Sequence, residues 1–368
     1  MTGIDGLSRE LETQAAFLKD REPVYERMLA LFADATSGEF GARLARLWAD
    51  RTFNSPYERP LLLLAAVRYD VLCEGTGHPL HDALAGSPVR ADAVTPDAFL
   101  ASLSPTRTRV DEALRGRAVQ TNETTRGVVW LWPAHLLSLA GERRSIALVD
   151  LGTSAGLNLV ADDLPARWVD DREVQLPLEP RPPIALRLGL DIAPLDVRGI
   201  DDAMWLRACI WPSDRPRLSR LEQAIEAFIA RAARGDAPTL ESCSLPRAPG
   251  RLSSLPDNLF VLCIQTIVRD YLTAAERETY EAGMQAFLLK RPPHSALVVE
   301  LEVDLGSLDV PAQSAMLVFR FASAEGKLHT TLMARTHPHP RQLFINPGAV
   351  EAFTDAFTPA GRESRTST

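Results

Sequence analysis

Apolar residues recur at three- and four-residue spacing through the first third of the chain. LSRELETQAAFLKDREPVYERMLALFADA from Leu7, FGARLARLWADR from Phe40 and PLLLLAAVRYDVLCEG from Pro60 carry this period and lack the alternation of half-exposed strands, so they predict helices. Asp97 and the Ser104-Pro105 pair are candidate openers of further helices. NETTRGVVWLWPAHLLSLAG, residues 122–141, reads as one more, with Gly141 as its C-cap. From Ile146 the pattern changes to short, continuous apolar runs: IALVDLG, PIALRLGLDI, NLFVLCIQTI, SALVVELEV, AMLVFRFAS and KLHTTLMAR. Helical segments lie between several of them, namely DAMWLRACIW, RLSRLEQAIEAFIARAARG and AAERETYEAGMQAFLLK. Strands buried on both faces and alternating with helices predict a mainly parallel sheet covered on each side. The last two runs are joined by SAEG, a hairpin-type connection that predicts an antiparallel pair at the end of the sheet.

The expected architecture is therefore α/β: a helical N-terminal cap over 1–140, a Rossmann-like domain over 141–360 whose strand plan resembles that of class I methyltransferases, and a disordered tail over 361–368. With 368 residues, 46% of them hydrophobic, the chain can bury a core large enough for two domains. Residues 1–20 lack the apolar core of an export signal, and no run reaches the length of a membrane span. Cys73, Cys209, Cys243 and Cys263 lack the spacing of a zinc or redox site, which points to reduced thiols, no bound metal and a cytoplasmic location. A net charge of −8 without a long basic run argues against nucleic acid as a partner and for a small-molecule substrate. Oligomeric state is not legible at this level.

The stretch ALVDLGTSAGLNLV, residues 147–160, carries the chemistry and has two readings. Gly152-Thr-Ser154-Ala-Gly156 fits the nucleophile elbow of a serine hydrolase. That reading requires an upstream oxyanion-hole loop of glycines, which SLAGERRS does not supply, although Asp304 followed by His329, His337 or His339 provides downstream partners. In the other reading, Asp150, Gly152, Ser154 and Gly156 form the loop after the first strand of a domain that binds S-adenosylmethionine, braced by Asn158. Later strands extend it. Asp191 ends the second run and is placed to hold ribose hydroxyls. Asp236 and Ala237 follow a long helix where an adenine contact is expected, and Gln265 and Thr266 end the fourth run at the rim of the pocket. LPARWVDDREVQLPLEPRPP must be an insertion before the second strand of the motif.

QTNETTRG at 120–127, LVDLGTSAGLNL at 148–159, LRLGLDIAPLDV at 186–197, MWLRACIWP at 204–212 and ARGDA at 233–237 together resemble the bacterial domain of unknown function 2332 family. The resemblance covers most of the chain and implies a helical region followed by a methyltransferase-like domain, with no established reaction. Asp150 stands where that family has Glu, and Gln265 where it has a histidine.

The polar cluster QTNETTRG invites two assignments. Thr121 could cap the following helix, with Thr124 at its third position. Alternatively, Gln120 and Asn122 contact substrate while Glu123 and Arg126 serve the reaction, with the cluster closing over the pocket. Arg187, in an otherwise buried strand, needs a carboxylate partner, either Glu123 or an acid on the substrate. The leading expectation is S-adenosylmethionine-dependent methyl transfer to a small acceptor carrying an anionic group. The alternatives are a catalytically degenerate binding or regulatory module on the same fold, and a serine hydrolase using GTSAG.

Overall fold

The computed structural model describes residues 4–165 and 167–358, so the expected tail at 361–368 lies outside the described residues. The chain divides into two compact units, Met1–Thr121 with Arg198–Leu221 and Asn122–Val197 with Glu222–Thr368.

The first unit is helical, as the periodicity predicts. Its longer helices are Leu7–Leu18, Pro23–Ala35, Glu39–Leu47, Glu58–Glu74, Thr108–Gly116 and Ile200–Ala208. Pro23 sits at the start of its helix and separates it from the preceding one, because proline fixes φ and has no N–H to lose there. Asp97 does not open its helix. Thr95 caps Pro96–Ser102 instead, its hydroxyl accepting the Ala98 N–H at 3.2 Å. Phe32 meets Phe99 edge to face at 4.8 Å in the core, and the buried Arg59 pairs with Glu10 at 2.7 Å.

The second unit holds a nine-stranded sheet. Its strands are β1 (Ile146–Leu151), β2 (Val169–Asp170), β3 (Ile184–Asp191), β4 (Thr239–Ser242), β5 (Phe260–Thr266), β6 (Ala296–Val303), β7 (Ala315–Ala322), β8 (Leu328–Thr336) and β9 (Gln342–Ile345). Their spatial order is β2-β9-β8-β7-β6-β5-β1-β3-β4. The five strands β4, β3, β1, β5 and β6 are parallel, and β6 through β9 form an antiparallel meander. The fold is thus α/β with a large, mostly parallel sheet, and β7 and β8 form the expected antiparallel pair.

Every residue of β1 is buried. Ile146 and Leu148 enter a core with the helices Val128–Leu139 and Pro347–Phe357, whereas Ala147, Val149 and Leu151 face a core formed with Ala248–Ser253 and Ala274–Lys290. Burial on both faces explains why the run is continuously apolar. The helix Val128–Leu139 accordingly groups with the sheet. Residues 164–183 form the expected insertion before β3: Trp168 donates its indole N–H to the Thr125 carbonyl at 2.8 Å, and β2 pairs with β9 at the far edge of the sheet. Among the described residues no helix is long and apolar enough to cross a membrane.

Candidate functional site

In the parallel part of the sheet, β1 lies between β3 and β5, and consecutive strands diverge to its two sides. The carboxyl ends of strands at such a switch point border the crevice where doubly wound sheets bind ligands. The loop after β1 begins there. Gly152 has φ 72°, Ser154 φ 54° and Gly156 φ 71°, three left-handed turns within five residues. The Gly152 N–H reaches the Leu190 carbonyl at 2.8 Å, and the Ser154 carbonyl accepts the Leu195 N–H at 3.0 Å, so β3 and its following loop fix this backbone. A Cβ on Gly152 would lie 2.3 Å from a methyl carbon of Val268, which closes one side of the loop.

Asp191 is the central brace. One carboxylate oxygen accepts the Ser154 N–H at 2.8 Å and the other accepts the Ala193 N–H at 3.0 Å, while the side chain keeps partial exposure. Asp150 is buried beneath the loop and accepts the Thr153 hydroxyl at 3.0 Å. Burial is the main influence on its carboxyl, which is pushed up to about 7. The Thr153 hydroxyl and the positive charge of Arg126 oppose the rise, and the charge of Asp191 adds to it. Asn158 gives its carbonyl to the Trp130 indole at 2.8 Å, and its buried side-chain oxygen has no hydrogen-bond partner among the described residues.

Part of the QTNETTRG cluster meets this loop. Asn122 donates its side-chain N–H to Ser154 Oγ at 2.6 Å. A 3-10 turn, Thr124–Gly127, packs on the turn Leu157–Asp163 so closely that a Cβ on Gly127 would come within 2.3 Å of the Ala161 methyl. Glu123, not Thr121, caps that turn by accepting the Thr125 N–H at 3.1 Å. Arg126, also buried, donates to the Pro338 carbonyl at 3.1 Å and approaches the carbonyl and hydroxyl oxygens of Thr266 at 3.5 Å. Gln120 falls in the helical unit.

Other predicted residues are not brought to the loop. Asp236 and Ala237 lie at the amino end of β4, opposite the end that carries Asp191, because β3 and β4 are parallel with Asp191 beside Ser242. Asp236 terminates the long helix there and pairs with Arg231 at 2.5 Å. Gln265 does not reach a rim. It is buried on the face covered by the helix Ala274–Lys290, and its carbonyl oxygen accepts the Tyr280 hydroxyl. Arg187 has the carboxylate partner its burial demands, but this is Asp162 at 2.6 Å and not Glu123. Thr153 and Val268 carry no expectation from the sequence beyond their neighbours. His339 enters there only as one of three candidate histidines in the serine-hydrolase reading, and its place opposite Glu123 has no sequence signal beyond THPHP, in which two histidines alternate with prolines after a strand.

The geometry bears on the serine reading as well. Among the described residues the hydrogen-bond partner of Ser154 Oγ is Asn122, and no histidine occupies that position. No group of three or more His, Cys, Asp or Glu side chains among the described residues is arranged to hold a metal ion. Comparison with curated proteins and with solved structures finds no significant match to this chain. A family model described as an uncharacterized protein conserved in bacteria (DUF2332) matches residues 8–344, and the chain belongs to that family.

Proposed function

We propose that the chain binds S-adenosylmethionine at the carboxyl ends of β1 and β3 and directs methyl transfer to a small acceptor bearing an anionic group. The observation that carries this reading is the meeting of the Gly152 loop with Asp191 at the switch point of the parallel strands. The residues present fit the nucleoside part of the ligand. Asp191 is partly exposed, and each of its carboxylate oxygens, with one N–H already bound, retains a lone pair for a ribose hydroxyl. The orphaned Asn158 oxygen beneath the loop is a further acceptor.

When bound, S-adenosylmethionine supplies an electrophilic methyl group on a positively charged sulfur. The protein's tasks are then alignment and exclusion of water. Arg126, buried and close enough to influence Asp150, supplies positive charge for an anionic acceptor, and Asn122 fixes the Ser154 hydroxyl beside the loop. Arg187 contributes indirectly, since its pairing with Asp162 anchors the turn that follows the loop. The four cysteines are unpaired, which fits a reducing, cytoplasmic setting.

One observation favours a second reading, a degenerate fold used as a binding or regulatory module. Val268 closes against Gly152 where a ligand crossing from β1 to β5 would pass. Calorimetry with S-adenosylmethionine and S-adenosylhomocysteine tests both. The first reading expects saturable binding that Asp191→Ala weakens by about 1.5 to 3 kcal/mol, roughly 10- to 150-fold in Kd. Absence of binding by the intact protein would overturn it. Binding of both ligands without turnover on any acceptor would favour the module.

A further inference from the structure

The turn between β8 and β9 brings an imidazole to the same neighbourhood. His339 lies in THPHP, where Pro338 and Pro340 restrict the backbone on either side. Thr336 closes the turn by donating its hydroxyl to the Gln342 carbonyl at 2.7 Å. His337 accepts the His339 backbone N–H on its Nδ1 at 2.9 Å, and the two rings meet edge to face at 5.4 Å. Arg126 donates its Nε–H to the Pro338 carbonyl, between the two histidines. The His339 ring is therefore carried on a fixed backbone, about one-third exposed, with its Nδ1 3.6 Å from Glu123 Oε2.

Glu123 is suited to orient that ring. Its carboxylate is almost wholly buried; Oε1 accepts the Thr125 N–H, and Oε2 is the oxygen that faces His339. A buried carboxylate facing Nδ1 favours the tautomer with the proton on Nδ1 and the lone pair on Nε2, and it stabilises the imidazolium formed when Nε2 takes a proton. A separation of 3.6 Å is longer than a good hydrogen bond, as is common for catalytic pairs before substrate closes the site. The neighbouring residue Asn122 touches Ser154, so the pair adjoins the Gly152 loop.

We infer that His339, positioned by Glu123, is the general base for an acceptor whose nucleophile is a hydroxyl of phenol-like acidity. This rests on the methyl-transfer reading above. A hydroxyl with a pKa of about 10 arrives protonated at neutral pH, whereas a carboxylate acceptor arrives ionised and needs no base. In the step, the O–H bond breaks and its proton goes to His339 Nε2. The oxygen's electron pair forms the new O–C bond, and the electrons of the broken S–C bond remain on sulfur. His339 is then the catalytic residue and Glu123 a positioning residue. The charged or titratable groups around the turn include Glu123, His337, Arg126 and Arg341; burial, with the two arginines adding to it and Glu123 opposing it, holds the His337 imidazole below its ordinary value.

The test is nitrogen-15 NMR of the full-length protein labelled at histidine. His339 is expected to show an unprotonated Nε2 in its neutral form. Its titration midpoint is expected to fall in Glu123→Gln by the equivalent of about a tenfold change in acidity, the effect of losing an adjacent carboxylate. Carbethoxylation of His339 by diethyl pyrocarbonate, read by peptide mass spectrometry, should be slowed by S-adenosylhomocysteine. A proton resident on Nε2 in the wild-type protein overturns the proposal without recourse to a variant, as does a midpoint unmoved in a folded Glu123→Gln protein. S-adenosylhomocysteine binding measured alongside separates the two claims. A normal isotherm with an uncoupled histidine overturns the base and leaves the methyl-transfer reading standing. Coupled titration without binding overturns that reading, and with it this role for the pair.

Discussion

Asp150 is a carboxyl group buried under a loop that Asp191 braces from the end of β3, and its ionisation is opposed first by burial and then by that second charge. Its folded pKa of about 7 lies above the ordinary aspartate value of about 3.9. The folded state therefore binds the proton more tightly than the unfolded chain does. Stability from this group is complete below about pH 4 and is lost as pH rises toward 7, with a gap worth at most about 4 kcal/mol. Asp150→Asn keeps a neutral side chain at every pH and can still accept the Thr153 hydroxyl. Its unfolding free energy in urea should accordingly lose less than that of the wild type between pH 5 and pH 8. Equal losses in the two proteins would mean that Asp150 is ionised throughout. The tight turn above it has a structural cause of its own, since the left-handed φ and the contact with Val268 both require glycine at 152 whether or not a ligand binds.

At the scale of elements, legibility followed burial. The runs that became β1, β3, β5 and β6 could be read because covering both faces forces a continuous apolar pattern, as in IALVDL and FVLCIQT. TLES at β4 and the two-residue β2 could not, because edge strands with exposed or half-exposed side chains carry no apolar period. Asp191 was readable as the acid ending a strand. Asp236 was misleading, because Gly-Asp after a long helix is equally a terminating turn; Gly235 has φ 74°, and the parallel pairing of β3 with β4 puts that turn at the wrong end. Contacts between distant segments, such as Glu123 with His339, leave no periodic trace at all. The insertion before β3 was legible only as extra length, yet it acts as a clamp. Trp168 is 3% exposed, belongs to the core under the helix Val128–Leu139, and holds the Thr125 carbonyl. Trp168→Ala removes both the ring and the hydrogen bond and should cost about 3 to 5 kcal/mol by urea denaturation. A cost below about 1 kcal/mol would show the insertion to be a passive loop.

At the scale of the molecule, the helical unit is not continuous in sequence, and this makes a prediction about where the chain can be cut. Residues 198–221 leave the sheet unit's sequence and complete the helical one. Trp205 is fully buried there, edge to face with Tyr69 at 5.7 Å, and its indole N–H bonds the Ala118 carbonyl at 2.9 Å. Arg117 pairs with Asp202 at 2.7 Å, and Arg68 donates to the Arg207 carbonyl at 2.9 Å. A chain beginning at residue 122 keeps the helix Ile200–Ala208 and loses all these partners. Ala203, Trp205, Leu206 and Ala208, each less than 5% exposed in the intact protein, would then share one uncovered surface. Such a patch promotes association. The truncated chain should therefore be recovered mainly as aggregate and should bind the dye 8-anilinonaphthalene-1-sulfonate. Replacing 198–221 in the same truncation by a short Gly/Ser linker removes the patch while leaving both cores of the sheet intact, and should restore a soluble protein with little dye binding. If the simple truncation is already soluble and dye-silent, the helix Ile200–Ala208 does not depend on residues before 122, and the helical unit is less of a single cooperative body than its buried contacts imply.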